Sequence, residues 1–142
     1  MVYPAYELEF KIGTAGSESA ETDMKTISDM ETIEPSFDNG IEEWNPYDAE
    51  GWVKRLMTSK SLTVSLSGKR NAGDAGNDYL AGLAMKNGNY ANTVLEIIFP
   101  DGGKLRMGCV ASVTTIGGGD ATSVSGLVAD LQSNGKPTYT EA

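Results

Sequence analysis

Period-two alternation constrains this chain more than any other feature. Across residues 61–68, Leu62, Val64 and Leu66 alternate with Thr63, Ser65 and Ser67, so an extended backbone sets an apolar face against one made only of hydroxyls. Residues 6–12 repeat the pattern, with Tyr6, Leu8, Phe10 and Ile12 opposite Glu7, Glu9 and Lys11. In residues 104–116, Leu105, Met107, Cys109, Ala111 and Val113 share one parity, and in residues 123–132 Leu127, Ala129 and Leu131 do the same. Residues 93–99 are also strand-like and end at Pro100-Asp101-Gly102-Gly103, a hairpin turn. Half-buried strands must share their apolar faces, which points to a sheet-built core.

Residues 77–86 predict the one helix: Asn77 caps it, Asp78 sits in the first turn, and Gly88 follows as a stop. Tyr79, Leu80, Leu83 and Ala84 supply its apolar side, and Gly82 predicts a close approach to a strand. Residues 26–37 give a weaker strand signal, broken at Pro35. Asp38-Asn39-Gly40 reads as a tight turn, followed by a returning strand over residues 41–45 and a second turn at Asn45-Pro46-Tyr47-Asp48. Residues 49–57 then suggest two helical turns with Trp52 and Leu56 on one face. Residues 13–23 and 133–142 read as loop and extended tail. The sum is a mainly β domain spanning residues 1–142, a β-sandwich or part-closed barrel of antiparallel strands with one short flanking α-helix.

Composition limits the chemistry. Histidine is absent and cysteine occurs once, at Cys109, so zinc-type sites and Ser-His or Cys-His triads have no material. Carboxylate or lysine chemistry survives that filter. Cys109, on the apolar parity of its strand, reads as a small buried hydrophobe rather than a nucleophile. No run approaches the length of an apolar membrane span, and the N-terminal residues lack the pattern of a secretory signal, so synthesis in the cytoplasm is expected. The net charge of −9 is uneven: residues 1–50 hold 13 acidic and 2 basic side chains, whereas residues 51–142 hold 7 acidic and 9 basic. Two oppositely biased parts can attract one another between copies, while the overall field opposes phosphate binding.

Three motifs invite chemistry and fall short of it. Gly117-Gly118-Gly119-Asp120 lacks the lysine and the helix that complete a phosphate loop. Asp74 to Asp78 lacks the glycine and terminal glutamate of a calcium loop. Glu42 and Glu43 are adjacent, so on an extended chain they point apart and cannot flank one bond. No cofactor is expected.

Further stretches carry a resemblance. The run from Glu50-Gly51-Trp52-Val53-Lys54-Arg55-Leu56 through Leu66-Ser67-Gly68-Lys69-Arg70-Asn71 resembles the major tail proteins of tailed phages of Gram-positive hosts. So do Gly73-Asp74-Ala75-Gly76-Asn77-Asp78-Tyr79-Leu80-Ala81-Gly82-Leu83-Ala84, Phe99-Pro100-Asp101-Gly102, Gly117-Gly118-Gly119-Asp120 and Ser133-Asn134-Gly135-Lys136-Pro137-Thr138-Tyr139, in the family's order. The resemblance implies a tail tube protein that self-assembles into stacked hexameric rings, with an inner sheet from all six subunits closing around a lumen. It also implies a place in the virion, with tape-measure, tail terminator and distal tail proteins as partners and double-stranded DNA passing through without specific binding.

Within that frame, an arm over residues 38–60, with Trp44, Tyr47, Trp52, Arg55 and Leu56, is the candidate contact between subunits. Glu7, Glu9, Lys11, Thr63, Ser65 and Ser67 are the candidate lumen-facing residues. Two other readings stand beside this one. The chain fits the inner tube of a contractile tail or tail-like bacteriocin, or a monomeric β-sandwich that binds carbohydrate on Trp44, Tyr47 and Trp52.

Overall fold

The computed structural model describes residues Met1–Ala142. Its eight strands are β1 (Glu9–Gly13), β2 (Met24–Thr26), β3 (Met30–Trp44), β4 (Lys54–Lys69), β5 (Asn92–Ile98), β6 (Lys104–Thr115), β7 (Gly126–Ser133) and β8 (Thr138–Thr140). They form one open antiparallel sheet in the order β2-β1-β5-β6-β7-β4-β3, and β8 pairs with β6 alongside Lys104–Arg106, beyond the stretch that β7 occupies. The one α-helix, α1 (Ala75–Gly82), runs into a 3-10 turn at Leu83–Met85.

Register explains the core. Residues paired directly across strands point to the same face. Ile12 pairs with Leu95 and Leu95 with Met107, while Ala111 pairs with Leu131, Leu131 with Val64 and Val64 with Pro35. One face of the whole sheet is therefore apolar. Leu80 and Leu83 add to the same buried cluster from the helical segment. Each fully buried Leu or Ile here contributes about 2 kcal/mol relative to exposure.

A flat sheet of this order is impossible for this chain. Its outer strands, β2 and β3, would lie about 29 Å apart across six strand spacings. Only residues 27–29 join them, and four residue steps span at most about 14 Å. The sheet must curl until its two edges approach, which wraps the apolar face around its own core.

Two side chains hold that closure. Asn77 is fully buried and uses its whole hydrogen-bonding capacity. Its Oδ1 accepts from Arg70 Nη1 at 2.8 Å and from the Asn71 N–H at 3.0 Å. Its Nδ2 donates to the carbonyls of Ser28 and Lys69, both at 3.0 Å. Asp74 caps α1 by accepting from the Asn77 N–H at 3.0 Å, and accepts from the Ser28 N–H at 3.2 Å and hydroxyl at 2.9 Å. The β2–β3 linker, the end of β4 and the start of α1 are thereby tied into one polar knot. Gly76 and Gly68 permit this approach: a Cβ on Gly76 would strike the Thr26 carbonyl, and one on Gly68 the backbone of Asp29 and Met30.

Several local expectations change. Asp74 rather than Asn77 is the N-cap, because Asn77 is needed inside the knot. Pro35 does not break its strand, since β3 lies at the sheet edge where a missing N–H costs no ladder bond. Asn39 and Gly40 are strand residues next to a register shift, not a turn. Residues 54–57 belong to β4 instead of a helix, β1 begins at Glu9, and Gly82 faces open space rather than a strand.

Burial by itself would raise the Asp74 carboxyl, but the hydrogen bonds from Asn77 and Ser28 outweigh it and hold the group below its ordinary value of 3.8. A depressed carboxylate stabilises the fold above its unfolded value, and that contribution is lost as pH falls through the folded one. Asp74→Ala should cost about 1 kcal/mol at neutral pH. Chemical denaturation of the parent should show stability lost below pH 4, and Asp74→Asn should flatten that loss on the order of the capping contribution. Equal acid profiles would contradict this role.

Candidate functional site

The most exposed feature is the hairpin of β3 and β4. The two strands pair from Met30 with Gly68 out to Trp44 with Lys54, whereas β7 covers β4 only from Thr63 to Lys69. Residues 38–60 consequently have no third strand beside them, and none of them is buried. The tip turns through a 3-10 turn at Tyr47–Ala49 and two left-handed residues, Glu50 (φ 53°) and Gly51 (φ 88°). Tyr47 is fully solvent-exposed and Trp52 is 78% exposed; Trp44 and Leu56 also face solvent. Arg55 Nε meets Glu43 Oε1 at 2.8 Å across the pair, but both are more than half exposed, so the bridge adds little to stability.

Charge is sorted by strand. β3 carries five acidic and no basic side chains, and β4 carries four basic and no acidic ones. The outer edge of β3 pairs with nothing in the chain. An open edge of this length is a template for another strand, and Pro35 with the row of carboxylates restrains indiscriminate pairing.

The face opposite the core is continuous in register and mainly polar beside β4, with Val94, Ile98, Val110 and Val128 also on it. Thr63, Ser65 and Ser67 lie on it, flanked by Ser36 and Glu34 on β3 and by Gln132 and Asp130 on β7. Ser65 donates to Asp130 Oδ1 at 2.8 Å. Glu9 and Lys11 fall on this same face at the far side of the sheet, paired with Ile98 and Glu96. Glu7 is not brought to that row, as it sits in the 3-10 turn ahead of β1. Around Ser61 to Ser67 the charged groups are Glu34, Asp38 and Asp130, so this part of the face is anionic.

Sequence reasoning missed one charged cluster. Glu96 is 1% exposed, on the polar face of β5, and meets Lys104 Nζ at 3.4 Å and Arg106 Nη1 at 3.2 Å. Arg106 also donates to the Ser19 carbonyl at 2.6 Å and pairs with Glu21 at 3.2 Å, strapping residues 15–23 over this face. The signal was present: a lone Glu in Val94-Leu95-Glu96-Ile97-Ile98, with Lys104 and Arg106 in register across the following turn. Cys109 is buried, and loss of solvation pushes its thiol up to about 12, slightly offset by a backbone hydrogen bond to Leu95. It is an unreactive core residue. Asp78, singled out in the calcium-like stretch, is engaged by Arg70 at 2.8 Å.

No family model matches this sequence, and no curated protein matches it either. Solved structures do match in fold. A chain from the tail of an empty gene transfer agent particle, refined with C6 symmetry, superposes with a TM-score of 0.78 at 19% identity, over 98% of this chain and 99% of that one. A chain from the virion of a native gene transfer agent particle gives 0.75 at 18% identity, over 98% and 99%. A chain from the sheath-tube complex of an extracellular contractile injection system in its extended state gives 0.65 at 12% identity, over 99% and 93%. The chain therefore has a tail-tube-like fold, common to gene transfer agent tails and contractile injection systems.

Removing Glu96 leaves Lys104 and Arg106, both partly exposed, with Glu21 as their remaining carboxylate. Glu96→Ala should cost about 1.5 kcal/mol in a chemical melt, the low end for losing hydrogen bonds to a charged group, since solvent and Glu21 still serve the two cations. It should also expose residues 15–23 to limited proteolysis. A melt unchanged from the parent would contradict the strap.

Proposed function

We propose that this chain is a structural subunit of a tail tube, which assembles with copies of itself into stacked hexameric rings around a channel for double-stranded DNA. The observation that carries the reading is the match in fold over nearly the whole chain to a C6-symmetric tail chain. The molecule's own features support it. An open sheet with a bare fifteen-residue edge strand gains hydrogen bonds when a neighbour's sheet completes it, and a closed ring of sheets leaves no edge exposed.

The polar face with Glu9, Lys11, Thr63, Ser65 and Ser67 is the proposed lumen wall. Its anionic part around Glu34, Asp38 and Asp130 repels DNA phosphates, which favours passage over retention. The hairpin over residues 38–60, with Trp44, Tyr47, Trp52, Arg55 and Leu56, is the proposed arm between subunits. Tape-measure, tail terminator and distal tail proteins are the proposed partners, and the assembled virion the proposed location. The finer attribution, to phages of Gram-positive hosts, is supported by the order of the sequence stretches around Trp52, Asp74 and Pro137.

The inner tube of a contractile system is the second reading, favoured by the match to the sheath-tube complex. We rank it second because the gene transfer agent tail chain superposes more closely. Negative-stain microscopy of the purified protein over a concentration series tests the proposal. Hollow tubes or stacked rings are expected. A variant with residues 38–60 replaced by a short turn should remain a folded monomer and form none, because no residue in that stretch is buried. Unchanged tubes from the shortened chain would remove the arm from the account.

A further inference from the structure

We infer that a groove at the base of the hairpin receives the hairpin tip of a second copy of this chain. This rests on the self-assembly reading above and deepens it by naming the two surfaces that meet.

The groove has a volume of about 630 Å³ and lies between the core-side face of the hairpin and the segment leading into β8. Phe37, Met57, Leu62, Leu105, Pro137 and Tyr139 give it apolar walls. Its two charged residues, Lys60 and Lys136, are both cations. Lys60 is held by Asn39 Oδ1 at 3.0 Å and lies 5.9 Å from the centre of the Phe37 ring, so no carboxylate neutralises it. An apolar trough rimmed by unpaired lysines suits a segment that is both aromatic and acidic.

The hairpin tip is such a segment, and its own fold does not use it. From Asp38 to Val53 there is no basic residue, and the tip presents Tyr47, Asp48, Glu50 and Trp52 to solvent. The strand between Lys60 and Lys54 holds the tip about 20 Å from Lys60. The tip cannot fold back into its own groove without undoing the β3–β4 ladder, so the occupant is a neighbour's tip. Tip-in-groove is a head-to-tail contact, the kind that propagates from copy to copy into rings or stacks. Inserted aromatics are also the side chains that dominate the energetics of such contacts.

Two measurements test it together. In the first, protein carrying Asp48→Cys is mixed with protein carrying Lys136→Cys, oxidised mildly and run on a non-reducing gel. A covalent dimer is expected from this mixture, and none when Thr122→Cys, exposed in the β6–β7 connection, replaces the Lys136 variant; Cys109 is buried and stays silent. In the second, K60E/K136E and D48K/E50K are each expected to abolish tubes while keeping the parent's thermal melt, and all four changes combined are expected to restore them.

Tubes that survive K60E/K136E with no cross-link would overturn the groove assignment and hand the groove to another occupant, leaving the tube reading intact. A cross-link without tubes at any concentration would support the groove and contradict the tube reading. Neither cross-link nor tubes would overturn both.

Discussion

Everything in this molecule depends on closing a sheet whose first and last strands in spatial order are joined by only residues 27–29. The short linker forces the curl, and the knot of Asn77, Asp74, Ser28 and Arg70 holds it. A buried amide that satisfies all its donors and acceptors is worth more than its separate bonds, because each group it serves would otherwise be orphaned in a dry interior. The helix that carries Asn77 is short, and its own propensity would not sustain it. Its position comes from the linker it clasps and from Leu80 and Leu83 in the core.

Curling leaves a clear division of labour. The apolar face is spent on the core, so contact with other molecules falls to the polar face, the open edge of β3 and the hairpin beyond the core. The hairpin is an expensive structure for a solitary chain. It orders 23 residues, 38–60, none of them fully buried to offset the backbone entropy they lose. Exposed aromatics at its end add a solubility liability that carboxylates only partly offset. On the proposed assembly, a second copy covering these residues would turn both costs into binding energy, and the sorting of acids onto β3 and bases onto β4 would give that approach a direction.

The strands of the core were legible because one face of each is buried and the other wet. Leu62, Val64 and Leu66 announced β4, and Leu127, Ala129 and Leu131 announced β7. Beyond the core that asymmetry vanishes. In the hairpin both faces are exposed in the single chain, so Trp52 and Leu56 could mimic a helical spacing, and Asn39-Gly40 could mimic a turn where the ladder shifts register. Asp74 and Asn77 are both good caps three residues apart, and only the tertiary demand on Asn77 decides between them. Parity grouped Thr63, Ser65 and Ser67 correctly on one strand face. Their shared face with Glu9 and Lys11 runs through the register of three intervening strands, which no local pattern encodes.

Amide hydrogen exchange of dilute and assembled protein tests whether this open sheet completes itself on other copies. The outward-pointing amides of β3, from Met30 to Trp44, should exchange freely in the dilute state and become protected on assembly, along with the tip around Trp52. Amides of β5 and β6, already paired on both sides, should change little. The same fast exchange along β3 in assembled protein would contradict it, since the edge would then still be bare.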